Sequence, residues 1–113
     1  MELDSLYAAV DEDDVQAVTT KLEAGVDVNV KKDWRGWGNQ TLLHVASRSG
    51  KTKVAALLIK NGADIEAGDW YQNIPLHEAA NKGHTGTCEL LICSGADIMA
   101  RTEVMAISMQ TLG

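Results

Sequence analysis

Residues 41–50 read TLLHVASRSG, and residues 74–84 read IPLHEAANKGH. The two strings begin 33 residues apart. The same interval separates LLIK at 57–60 from LLIC at 90–93, and NGAD at 61–64 from SGAD at 94–97. Three separate strings agreeing on one period mark an internal repeat, and a repeat decides the architecture before any single residue does.

Working backwards, LEAGVDVN at 22–29 matches the later LIKNGADIE, and LYAAV at 6–10 matches LHEAA at 76–80. From Gly25 to Gly62 the interval is 37, so four extra residues lie within KKDWRGWG at 31–38. Working forwards, ISMQ at 107–110 follows IPLH by 33 residues, so a fourth copy begins before the chain stops at Gly113. The expected organisation is one domain, 1–113, with repeats at about 4–36, 37–69 and 70–102 and a partial fourth at 103–113.

Each copy reads alike. A short helix opens at Thr41 or at Pro75, both good helix starts, and ends at Gly50 or Gly83. A second helix is predicted over 52–61 and 85–94, stopped by the left-handed glycines Gly62 and Gly95. An extended turn leads to the next copy. One such unit buries its apolar faces only by stacking on its neighbours.

The pattern TLLHVASRSG and IPLHEAANKGH, followed by LLIKNGADIEA and LLICSGADIMA, resembles the ankyrin repeat family over about residues 4–113. The resemblance implies an all-α solenoid of helix–turn–helix units with β-hairpin fingers. It also implies a concave face, made of inner helices and fingertips, that binds partner proteins. Thr-Pro-Leu-His is incomplete in both clear copies, with Leu42 in place of Pro and Ile74 in place of Thr. The first copy lacks both the His and the inter-helix Gly, carrying Asp11-Glu12-Asp13-Asp14 instead, and Lys21 stands in an apolar row. A polar first copy suits a capping repeat.

Composition agrees with a small globular domain: 45% apolar, 23% charged, and no Phe. The net charge of -6 sits entirely in residues 1–30, which carry -7, while the rest carries +1. That balance argues against nucleic-acid backbone binding. The two cysteines, Cys88 and Cys93, point apart on one helix, and no disulfide framework exists. The start MELDSLYAAV lacks a basic region before an apolar run, and no apolar stretch approaches a membrane span. The expectation is an intracellular, cytoplasmic protein, with the nucleus left open, no membrane partner, no cofactor and no bound metal.

GDWYQNIPLH at 68–77 poses the functional question, because Trp70 and Tyr71 stand in a segment whose Gly, Asp and Asn make it a turn. Aromatics normally fill cores. Trp34 and Trp37 lie in the preceding finger, with Lys31, Lys32 and Arg35 beside them. Four of the five aromatics on adjacent fingers suit an interface hot spot, against the blander reading that the rings lie over neighbouring fingers as cover. The inner-helix ends complete the face: Asp11-Glu12, Arg48-Ser49 and Asn81-Lys82. The expected partner-binding residues are Trp34, Arg35, Trp37, Arg48, Trp70, Tyr71, Asn73, Asn81 and Lys82.

Other motifs read as structure. Ser49-Gly50-Lys51-Thr52 ends like a phosphate loop, but Val45 stands where the first Gly belongs. His44 and His77 recur at the repeat period, and in the resembled family this His bonds the neighbouring hairpin backbone. His84 and Cys88 make half a metal site at most. Asn29, a position hydroxylated in some family members, reads better as closing its own turn. Residues 104–112, VMAISMQTL, cover the stack's end as a partial repeat, or form an edge that associates with another chain, or begin a longer array. No catalysis is expected: the leading reading is a protein-binding module, with a self-associating or regulatory fragment as the alternative and an enzyme or metal protein behind both.

Overall fold

A computed structural model describes residues 2–95. The third finger and the partial fourth repeat, with their proposed edge for self-association, lie outside the described residues. Six helices and one hairpin follow in order: α1 (Glu2–Asp11), α2 (Val15–Glu23), β1 (Lys31–Trp34), β2 (Trp37–Thr41), α3 (Leu42–Ser49), α4 (Thr52–Lys60), α5 (Pro75–Asn81) and α6 (Thr85–Cys93). The helices pair as α1–α2, α3–α4 and α5–α6, and successive pairs stack. The inner row is α1, α3, α5, and the outer row is α2, α4, α6. This is a helix–turn–helix solenoid carrying a small antiparallel hairpin.

Local chemistry sets the boundaries. Thr41 caps α3, its hydroxyl accepting from the His44 N–H at 3.2 Å, and Pro75 opens α5. Gly50 and Gly83 stop the inner helices with φ of 70° and 74°. The first repeat has no glycine there. Asp13, 37 residues before Gly50, takes the left-handed conformation with φ 60°, which Asp tolerates better than most residues. Its neighbour Asp14 caps α2 by accepting from the Ala17 N–H at 3.1 Å.

The core runs along the stack: Leu6, Tyr7, Val10 and Val18, then Leu42, Leu43, Val45, Val54 and Leu58, then Leu76, Ala79 and Leu91. Leu58 and Leu91 are fully buried, whereas Lys21 at their register is half-buried. The outer helix of the first repeat therefore meets water as a stack end must. Among the described residues, no helix is long and apolar enough to cross a membrane.

The fingers differ. The first is a true hairpin, with Trp34 opposite Trp37 across the two-residue turn Arg35-Gly36. Both turn residues have positive φ, 51° and 87°, as primed hairpin turns require. The register slips between Lys32 and Trp34, where Asn39 adopts φ 61° and its N–H reaches the Asp33 carboxylate at 3.1 Å. The bulge places one residue more on β2 than on β1. The second finger forms no strand, contrary to the expectation of a hairpin in each repeat. It is shorter, and Asp69 folds it into a turn by accepting the N–H groups of Tyr71 and Asn73 at 2.8 and 2.9 Å.

Candidate functional site

Trp70 and Tyr71 are 66% and 70% exposed, and Trp37 is 37% exposed. The three rings lie on adjacent fingers, which are tied by a hydrogen bond from the Trp70 N–H to the Gly38 carbonyl at 3.1 Å. The Trp70 ring rests on Gly38: a Cβ built there would come within 2.1 Å of the ring. Trp70 thus lies over its neighbour and still faces water, so cover and presentation coexist.

Trp34 departs from the expectation. Its ring is 9% exposed and packs on Tyr7 with centroids 5.4 Å apart. Trp34 is buried although its hairpin partner Trp37 is more than a third exposed. Arg35 covers its outer face, with the guanidinium 4.9 Å from the ring centre and 3.2 Å from the Asp11 carboxylate. Lys32 closes the other side, over both Tyr7 and Trp34, and pairs with Asp4. Trp34 is therefore scaffold, and the exposed aromatics number three.

Arg48 also departs from the expected surface role. Its guanidinium stacks 4.6 Å from the Trp37 ring centre, donates to the Gln40 side chain at 2.6 Å and lies 3.6 Å from the Glu78 carboxylate. The Gln40 amide in turn donates to Asp69 at 3.0 Å. One buried polar chain thus runs from Glu78 on α5 through Arg48 and Gln40 to Asp69, and Asp69 folds the tip that carries Tyr71. Burial pushes the Glu78 carboxyl up, and Arg48 pulls it back down. Burial likewise lowers Arg48, opposed by Glu78.

The remaining expected residues divide. Asn81 and Lys82 are exposed at the end of α5. Asn73 is half-buried, and its backbone is engaged: the N–H with Asp69, the carbonyl with His44 Nε2 at 2.7 Å. Asp11 accepts from the Ser49 hydroxyl at 2.6 Å, which links the inner-helix ends of two repeats.

The histidines serve the scaffold. His44 Nδ1 accepts the Thr41 N–H at 3.2 Å while Nε2–H donates to Asn73, so both ring nitrogens are occupied and the ring is the Nε2–H tautomer. Burial holds its pKa below the ordinary histidine value, with the Asn73 carbonyl opposing. His84 donates from Nε2 to the Arg48 carbonyl at 3.0 Å and packs on Gly50. Burial pushes the Cys88 thiol up, which makes it a small apolar side chain rather than a thiolate. Gly50-Lys51-Thr52 is the inter-helix turn, with Gly50 in the left-handed conformation.

Asn29 corrects its expected role. Asp27, not Asn29, closes the local turn, accepting the Asn29 N–H at 2.9 Å. The Asn29 side chain instead bridges to the next repeat, donating to the Gly62 carbonyl at 3.2 Å and accepting the Asp64 N–H at 2.7 Å.

Two residues escaped sequence reading because their signal is chemical, not textual. Tyr7 replaces a repeat histidine with a different donor. Asp69 looks like turn filler until its three hydrogen-bond donors are seen.

Comparison with known proteins agrees with this geometry. A stretch of 60 residues is 42% identical to the mouse (Mus musculus) 2-5A-dependent ribonuclease, covering 53% of this chain and 8% of that protein. The chain therefore corresponds to a small part of that relative. A family model of ankyrin repeats matches residues 6–102 in three copies. The period, the stacked helix pairs and this match together place the chain in the ankyrin repeat family.

Proposed function

We propose that the chain is a non-catalytic module that grips a partner protein with Trp37, Trp70 and Tyr71. Arg35, Asn73, Asn81 and Lys82 rim the contact, and Arg48 supports it from beneath. Ankyrin repeats generally mediate protein–protein interaction. The observation that carries the residue assignment is the exposure of three large rings on two adjoining fingertips. Aromatic side chains held rigid and facing water are the groups that dominate interface energies, and truncating one such anchor costs about 2 kcal/mol or more. The ribonuclease activity named for the mouse relative is not carried over, since the match covers 8% of its length. A soluble intracellular setting suits the unpaired cysteines, of which Cys93 is exposed.

The test is affinity capture from a source-cell lysate with the wild type and with Trp37→Ala, Trp70→Ala, Tyr71→Ala combined. Circular dichroism establishes that both are folded. A protein retained by the wild type and lost by the folded variant supports the reading. Equal retention moves the binding face away from the fingertips.

A further inference from the structure

Tyr7, Trp34 and Trp37 each have a cation over the ring. Lys32 Nζ lies 5.7 Å from the Tyr7 ring centre and 5.8 Å from that of Trp34. The guanidinium groups of Arg35 and Arg48 lie 4.9 and 4.6 Å from the ring centres of Trp34 and Trp37. Trp70 and Tyr71, the two most exposed rings, carry no such cation among the described residues. A ring face is the negative pole of the aromatic quadrupole, so a cation is what it attracts.

The finger that carries these two rings is also acidic. Residues 62–74 hold Asp64, Glu66 and Asp69 and neither Lys nor Arg. Asp69 is buried at the base of the tip, and its hydrogen-bond donors are neutral: the N–H groups of Tyr71 and Asn73 and the Gln40 amide. No ion pair reaches it among the described residues. One base approaches from the first finger, where Lys31 Nζ donates to the Gly68 carbonyl at 3.2 Å. At the tip itself, the Trp70, Tyr71 and Gln72 carbonyls and the exposed Gln72 side-chain oxygen accept from no donor among the described residues. Free donors stand beside them, the Trp70 indole N–H and the Tyr71 hydroxyl. Hydrogen bonding alone therefore selects no ligand, whereas the acidic finger and the bare ring faces select a cation.

Arg48 shows the pairing inside the chain. Its guanidinium stacks on Trp37 while its Nη1 donates to the Gln40 side-chain oxygen at 2.6 Å. An arginine meets both demands, because its plane stacks on an aromatic face and its N–H groups remain for acceptors around it. A lysine ammonium is more strongly hydrated and has no plane to stack.

We propose that the Trp70–Tyr71 tip takes an arginine side chain of the partner protein, its guanidinium over the bare ring faces and its N–H groups on the free carbonyls of the tip. This rests on the protein-binding reading above and deepens it.

The test uses the full chain with 15N-labelled tryptophan, so that each indole N–H is a separate resonance. The probes are four capped Gly-Ser nonapeptides that carry two arginines, two citrullines, two lysines or two glutamates. Citrulline keeps the planar shape of arginine and lacks its charge. The arginine peptide at millimolar concentration is expected to shift the Trp70 indole resonance and to leave that of Trp34, whose face Arg35 already covers, in place. The citrulline peptide is expected to bind at least about fivefold more weakly, and the lysine peptide about threefold more weakly. The glutamate peptide is expected to leave Trp70 unmoved. Tyr71→Ala is expected to weaken the arginine peptide by about twofold to fivefold. No Trp70 shift with the arginine peptide, equal binding by the citrulline or lysine peptide, or an equal shift with the glutamate peptide overturns the proposal. A shift that Tyr71→Ala leaves unchanged places the arginine away from the tip and overturns it too. If lysate capture depends on the rings while the arginine peptide leaves Trp70 unmoved, the arginine assignment falls and the protein-binding reading survives. If capture ignores the rings as well, both fall.

Discussion

Tyr7 and His44 hold the same station in successive repeats. The Tyr7 hydroxyl donates to the Gln40 carbonyl at 2.6 Å, and His44 Nε2 donates to the Asn73 carbonyl at 2.7 Å. Gln40 and Asn73 are themselves one 33-residue repeat apart. The phenol reaches further than an imidazole and also meets the Val30 carbonyl at 3.1 Å, so it ties both ends of the longer first finger. Burial raises the phenol well above its ordinary pKa and keeps it a donor.

Tyr7→Phe keeps the ring and removes the donor. The buried Gln40 carbonyl loses its donor, and the Val30 carbonyl its share of the same proton, at a cost of about 1–3 kcal/mol. Urea unfolding is expected to show that loss. Tyr71→Phe, at an exposed tip, is expected to stay within about 0.5 kcal/mol of the wild type.

His44 predicts a pH dependence. Its folded pKa lies below the unfolded value, so the folded state binds its proton less readily than the unfolded chain. The stability it contributes is present above the ordinary histidine pKa and is lost as the pH falls through that value toward the lowered one. Protonation would also set an Nδ1–H against the Thr41 N–H that Nδ1 now accepts. The stability gap between the wild type and His44→Gln, from urea unfolding, is expected to narrow as the pH falls from about 7.5 to 5. NMR titration of the wild type should show this ring neutral at pH values where an exposed histidine is charged.

The scaffold was legible because repeat geometry is written in period. TLLH and IPLH located the starts of α3 and α5, the two GAD strings the stops of α4 and α6, and Gly50 and Gly83 marked the inner turns. The site was legible only in outline. Trp34 and Trp37 look equivalent as letters, yet the hairpin pairs them across a turn with one ring inward on Tyr7 and one outward. Which ring faces water depends on register and on the bulge at Asn39, and these depend on where four extra residues are accommodated. Arg48 illustrates the same limit: its charge suggested a surface contact, but Glu78, 30 residues later, draws it beneath Trp37.

Arg48→Met separates the buried ion pair from the packing. The substitution leaves the Glu78 carboxylate buried and without its counterion, at an expected cost of about 3–5 kcal/mol. The Glu78 carboxyl is already pushed up by burial, and without Arg48 it rises further. Protonation relieves a buried charge, so the deficit is expected to shrink as the pH falls. Arg48→Met combined with Glu78→Leu removes both charges and is expected to recover much of the loss. A double change no better than the single one would mean that Gln40 and Trp37, rather than Glu78, account for the damage. Trp37 emission should shift to the red in both variants as its ring loses the guanidinium cover.

Gly38→Ala tests whether presentation of the rings matters separately from their presence. The added methyl would meet the Trp70 ring at 2.1 Å. Gly38 is free of the left-handed φ that would strain an alanine, and Trp70 is two-thirds exposed, so the ring can swing into solvent. Stability is expected to change by about 1 kcal/mol or less. Every candidate contact residue remains, and only the seat of Trp70 is filled. Acrylamide quenching should report a more accessible Trp70, and capture of a partner should weaken by about tenfold if the ring must be held in place to bind. Capture at wild-type strength, with quenching showing a displaced ring, would mean that the partner orders Trp70 itself and that Gly38 does not preorganise the site.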